Sequence, residues 1–349
     1  MELSKQQTDY TKGIAIAMML CLHLFNRDYH GLFTPTFFIG KQPLSYYLSL
    51  FCDCCVWIYC FCSGYGLYIS HQTKPETYAQ TNRVRLLKLY LNYWVVLLLF
   101  AVVLGTVLGK TIDYPGSWLV FIYNFSSLDS SYNGAWWFLS CYALLVILSP
   151  VMFRLLNRLP AYGILFGSFL LYVMGYCARI YHPVISEIQL VQLLWHQCFM
   201  LANAIFPFVL GALAYRQRWY SRWMQWVAKL PFRTSVLLAI ILLLIIAHGF
   251  VPSLFVAVFT GVAVVFLFNG LSLSKTAERI FAFLSQHSTN IWLVHLFIFS
   301  SFAKEWSYAP QQPLLIFCWV LAWCLLCSYL INWIYLPLQR LVLKTWFAQ

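Results

Sequence analysis

Apolar runs about as long as a bilayer is thick recur from one end of this chain to the other. Nothing else in the sequence limits its fold so tightly. The hydrocarbon core is about 30 Å deep, which a helix crosses in about 20 residues, and every backbone polar group inside it must be satisfied within the protein. Ten runs can be read, near residues 12–33, 44–70, 86–109, 134–153, 161–180, 194–214, 234–250, 252–271, 287–303 and 312–336. Only 9% of the 349 residues are charged and 62% are hydrophobic, whereas a soluble domain is about 25% charged. The expected fold is an all-α polytopic membrane protein of about ten transmembrane helices, forming a single domain over 1–349.

The net charge of +12 would suggest nucleic acid in a soluble protein. Here the cations sort by side of the membrane. Seventeen of the 22 Lys and Arg residues fall at the termini and in the loops of one side; Arg27, Lys41, Lys110, Arg179 and Lys304 fall on the other. Cytoplasmic loops are enriched in Lys and Arg. Both termini are therefore expected in the cytoplasm, in a multi-pass protein of the inner membrane, with no nucleic-acid partner. The first run lacks a small-residue cleavage site and is expected to remain as the first helix.

Twelve cysteines lie almost entirely inside these runs, five of them in CDCCVWIYCFC (52–62). That spacing lacks the paired C-x₂-C of a zinc site, and free cysteine is a common small apolar filler. Packing is the expectation there and at Cys324 and Cys327, and no metal is expected. The segment YRQRWYSRWMQWVAKLPFR (215–233) alternates cations with aromatics, as a helix lying in the headgroup layer does. It reads as a lipid anchor or a ligand-binding surface, with membrane lipids as partners. Residues 110–133 form an outer loop with a short apolar piece.

Ionisable groups inside a membrane are costly, which makes each one a functional candidate. His23 lies deep in the first run. Lys12 precedes it by eleven residues, about 16 Å and three turns of helix, so the two share a face. Asp9 stands three residues before Lys12 and can pair with it. Asp53 is a second candidate, either orienting the His23 ring or pairing with Arg27. His287 and His295 lie eight residues apart near one face, with Asn290 placed to join them. His248, beside Gly249, reads as structural, and His71, His182 and His196 sit near span ends. Arg83, Arg85 and Lys88 cluster at the cytoplasmic start of the third run, where they would suit phosphates. Trp136 and Trp137 open the fourth run from outside, as an interfacial belt or as a platform for a sugar ring.

Several of these stretches together resemble acyltransferase family 3, integral-membrane enzymes that acylate cell-surface glycans. The opening Asp9-Tyr-Thr-Lys12-Gly13-Ile14-Ala15, with His23 after ten intervening residues, is similar to the family's first motif, with Lys12 where the family has arginine. YCFCSGYGLY, holding Ser63 and Gly64, resembles the family's Phe-x-x-Ser-Gly-Phe stretch. Arg85-Leu-Leu-Lys88 is similar to its Arg-x-x-Arg pair, again with one lysine. Trp137-Phe138-Leu139, Ser149-Pro150 and Ser288-Thr-Asn-Ile291-Trp-Leu293-Val-His295 follow in the family's order.

The resemblance implies an acyl-CoA donor, usually acetyl-CoA, bound from the cytoplasm, and a glycan or lipid-linked sugar acceptor. It implies His23 as the catalytic histidine and Arg85 and Lys88 as donor-binding cations. With no esterase-like domain after the tenth run, the chain resembles the stand-alone form. The expected roles are then catalytic for His23 and Asp53, and donor-binding for Lys12, Arg83, Arg85 and Lys88. Asp9, Ser63, Asn290 and His295 are expected to support them, and Trp136 and Trp137 to face the acceptor. The rival reading is a secondary transporter or lipid-sugar flippase; such folds carry internal repeats, and none is visible here.

Overall fold

The computed structural model describes residues 2–181 and 183–347; His182 lies outside the described residues. Helices dominate. They are α1 (Lys5–Phe25), α2 (Leu44–Phe51), α3 (Cys55–Thr73), α4 (Tyr78–Leu97), α5 (Gly105–Val107), α6 (Trp118–Phe125) and α7 (Trp137–Arg158). There follow α8 (Ala161–Tyr181), α9 (Gln189–Arg216), α10 (Trp219–Val227), α11 (Arg233–Phe250), α12 (Leu254–Gly270), α13 (Lys275–Leu296), α14 (Lys304–Tyr308) and α15 (Pro313–Phe347). A 3₁₀ turn at Cys52–Cys54 joins α2 to α3, and a π segment at Leu98–Leu104 joins α4 to α5. A short antiparallel hairpin pairs β1 (Phe38–Ile39) with β2 (Gln42–Pro43).

Among the described residues seven helices are long and apolar enough to cross a membrane: Leu44–Thr73, Tyr78–Val107, Gly134–Arg158, Ala161–Tyr181, Gln189–Arg216, Arg233–Phe250 and Pro313–Thr345. The other three expected runs overlap α1, α12 and α13. Of these, α12 has 17 residues, while α1 and α13 open with charged turns.

Those charged turns displaced the expected boundaries. α1 starts at Lys5 rather than 12, because Ser4 and Gln7 form a capping box. Gln7 N donates to Ser4 Oγ at 3.1 Å and Ser4 N to Gln7 Oε1 at 3.0 Å, so the first turn closes before the apolar run begins. It ends at Phe25 rather than 33, where Asn26, Arg27 and Asp28 interrupt the run. α13 starts at Lys275 rather than 287, with Ser274 Oγ accepting from Ala277 N at 3.2 Å.

Backbone contacts divide the chain into two compact units. The first comprises Met1–His30, Pro35–Tyr78 and Leu144–Ser288; the second comprises Gly31–Thr34, Ala79–Ala143 and Thr289–Gln349. In the first unit glycines let helices meet backbone to backbone, as small residues do in membranes. A Cβ on Gly64 of α3 would stand 1.8 Å from the Phe208 carbonyl oxygen of α9, and one on Gly211 2.0 Å from that of Phe61. Phe153 and Phe208 stack beside this crossing, with ring centroids 5.7 Å apart. The basic aromatic segment forms α10, held when Tyr220 Oη donates to Asn269 O and Trp223 Nε1 to Phe266 O, both at 3.0 Å. In the second unit Trp136 packs edge-on against Tyr93 and Phe297, and the apolar piece of the 110–133 loop forms α6.

Candidate active site

In the first unit the site grows from one face of α1. Lys12 Nζ stands 3.7 Å from Asp9 Oδ1, the i,i+3 pair that the spacing allows, with both side chains about one-third exposed. His23 lies half-buried further along the helix, and the charge of Arg27, one turn beyond, acts on its ring. Three other elements hold this face in place. Tyr59 Oη of α3 donates to the Lys12 carbonyl at 3.0 Å. Asn269 Nδ2 of α12 donates to Thr11 Oγ1 at 2.8 Å. Gly13 lies so close to α13 that a Cβ there would fall 2.0 Å from the Phe281 carbonyl oxygen. Ser63, half-buried, precedes the Gly64 crossing. The sequence signals Tyr59 only as a phenol inside an apolar helix.

Asp53 has neither of the partners expected for it. It sits on the 3₁₀ turn, and its Oδ1 lies 3.1 Å from His248 Nε2 at the end of α11. The His248 ring in turn meets Thr260 Oγ1 through Nδ1 at 3.1 Å. Neither His23 nor Arg27 bonds to Asp53. The helical spacings that suggested those pairings carry no information about α11, which arrives from far along the chain. The other histidines near span ends pack on rings: His71 against Tyr78 and Phe153, His196 against Phe199.

In the second unit α4 presents the cations. Arg85 and Lys88 line an open groove of about 520 Å³ together with Gln80, Thr81 and Val84, positions that form one stripe of a helix. Arg83 does not line it. Arg85 Nη1 donates to Asn82 Oδ1, which aims the guanidinium along the helix, and Tyr335 Oη donates to the Lys88 carbonyl at 3.1 Å. The groove thus offers one bidentate and one point-charge donor for anions.

Asn290 is the hub of a buried polar network in the same unit. Its Oδ1 accepts from Asn92 Nδ2 at 2.7 Å, and its Nδ2 donates to Ser328 Oγ at 2.9 Å and Asn332 Oδ1 at 3.0 Å. It does not join His287 to His295; its bonds tie α13 to α4 and α15. His295 is fully buried, and its Nδ1 donates to the Trp292 carbonyl at 2.8 Å. Trp136 is buried too, with Nε1 donating to Leu293 O at 3.0 Å. Its ring is covered by Tyr93 and Phe297, whereas Trp137 is half-exposed. Two π segments, Leu98–Leu104 and Phe297–Phe302, bring Phe100 and Phe297 into a stack at 5.2 Å. Such segments are frequent at functional sites, and apolar composition gives no sign of them.

A family model described as an acyltransferase domain matches residues 6–333. The chain belongs to acyltransferase family 3. The matched region of this family 3 acyltransferase runs through both units and takes in Asp9, Lys12, His23, the α4 cations and the Ser288–His295 stretch. Family membership makes membrane acyl transfer the chemistry these residues have to explain. No curated protein and no solved structure matches the acyltransferase.

Proposed function

We propose that this acyltransferase moves an acyl group, usually acetyl, from cytoplasmic acyl-CoA to a hydroxyl of a cell-surface or lipid-linked glycan. The observation that carries the reading is the α1 face, where Lys12, held by Asp9 at 3.7 Å, and the half-buried His23 stand at the spacing of the family's opening motif. His23 is the general base. It takes the proton of the acceptor hydroxyl as the oxygen attacks the thioester carbonyl. The C–O bond forms, the C–S bond breaks, and the proton passes from the imidazolium to the departing CoA thiolate. Imidazole is the side chain most often used for such transfers.

Arg85 and Lys88 hold CoA phosphates in the α4 groove, and the half-exposed Trp137 faces the acceptor sugar. Asp9 and Ser63 order the surroundings of the α1 face, while Asn290 and His295 order the interior of the second unit. The chain crosses the inner membrane ten times with both termini in the cytoplasm. That count takes the seven long apolar helices together with α1, α12 and α13, and rests on the 17-to-5 distribution of cations between the two sides.

The test is CoA release and acceptor acylation in vesicles carrying the purified protein. His23→Ala should lower turnover by about 10²–10⁴-fold, the usual worth of a positioned acid–base group. Full activity in that variant would sink the mechanism. Movement of unmodified acceptor without acyl-CoA consumption would establish the transporter reading instead.

A further inference from the structure

The proposed chemistry makes no use of Asp53, His248 and Thr260, although they form the deepest ion pair in the first unit. The His248 and Asp53 side chains are 1% and 11% exposed. His248 Nε2 stands 3.1 Å from Asp53 Oδ1, an ion-pair distance outside hydrogen-bond geometry. The order hydroxyl, imidazole, carboxylate resembles a nucleophile relay, but Thr260 is 4% exposed inside a helix, and its Oγ1 also donates to Val256 O at 3.3 Å. No acceptor can reach that hydroxyl. The three residues form a latch between elements.

The latch closes on the 3₁₀ turn Cys52–Cys54. α11 supplies His248, α12 supplies Thr260, and Gly261 brings α12 so near that a Cβ there would meet the Cys54 carbonyl at 3.0 Å. Phe51 lies edge-on to the imidazole. From α8 the Arg179 guanidinium acts on Asp53, with Tyr172 and Tyr176 beside it. On its other side the turn meets α1, where the Cys52 and Cys21 thiols act on one another, and Cys21 precedes His23 by two residues. A helix that breaks into a 3₁₀ turn inside a membrane is free to shift unless something pins it. Here the pin is the close contact of the Asp53 carboxylate with the His248 ring, whose loss leaves a buried carboxylate without that partner.

We propose that His248, acting through Asp53, is a positioning residue for His23, holding the Cys52–Cys54 turn against α1 at the depth of Cys21. This rests on His23 being the base. Asp53 is therefore placed outside the chemistry itself, and His248 gains a role beyond packing.

Two readouts test it on the full-length protein. The first is acyl transfer in vesicles. His248→Ala should lower kcat by about tenfold or more with the KM for acyl-CoA held within about twofold, because a misplaced base weakens the chemical step rather than donor binding. His248→Gln, whose amide keeps an N–H donor facing Asp53, should recover much of that loss. Thr260→Val, a milder change, should act in the same direction and less strongly. The second readout needs no substrate: alkylation of Cys21 by N-ethylmaleimide, followed by mass spectrometry of its peptide. It should be faster in His248→Ala than in the native protein and restored in His248→Gln.

Unchanged kcat and unchanged Cys21 labelling would overturn the proposal, as would a change confined to KM or a failure of glutamine to rescue. Coupled changes in labelling, in a protein whose His23→Ala variant keeps full activity, would preserve the latch and refute the role of His23.

Discussion

Arg83, Arg85 and Lys88 stand within six residues of one another, yet the helix does not treat them alike. At about 100° per residue, Arg85 and Lys88 fall about 60° apart around the axis, whereas Arg83 points about 160° away from Arg85. The groove on α4 includes the first two and omits the third. A charge-assisted hydrogen bond is worth about 1.5–3 kcal/mol. Arg85→Ala or Lys88→Ala should therefore raise the KM for acyl-CoA by about tenfold or more, and Arg83→Ala should leave it nearly unchanged. Steady-state kinetics on the three variants in vesicles decides this. Equal effects at all three positions would mean that diffuse charge, not the groove, binds the donor.

At the scale of elements, the two glycines inside the motif-like stretches have a physical reason to be there. Gly13 lets α1 touch α13 and Gly64 lets α3 touch α9, each with room for a hydrogen and none for a methyl group. Overpacking against another side chain costs about 1–3 kcal/mol. Here the obstacle is a backbone carbonyl, which cannot rotate aside, so the upper end of that range is expected. Gly13→Ala and Gly64→Ala should each lower the thermal unfolding midpoint of the detergent-solubilised protein. Gly66→Ala, two residues further along α3 and with nothing within 4 Å of its would-be Cβ, should not, since alanine in an open helical site favours the helix. If all three variants melt together, the close crossings do not limit stability.

For the whole molecule, the prediction is sidedness. Reporters fused at the two termini, one active only in the cytoplasm and one only outside it, should both read cytoplasmic. Opposite readings at the two ends would require an odd number of spans. The helical class, the placement of the long apolar helices and the face shared by Lys12 and His23 were legible in the sequence. Lipid offers a single chain segment almost no way to satisfy its backbone except helix, and residues eleven apart on a helix return to one face. Helix starts were less legible where capped polar turns precede the apolar run, as at Ser4 and Ser274. The partners of buried polar groups were not legible at all. Asp53 meets His248 rather than His23, and Asn290 meets Asn92, 198 residues away. Those pairings depend on how each helix is rotated and where it crosses its neighbours, which no local period encodes. Composition and apolar run length were enough to place this chain in a membrane, and its opening stretch resembles the family's first motif with Lys12 in place of arginine. Which buried polar groups meet one another, as Asp53 meets His248, came from helix rotation and crossing alone.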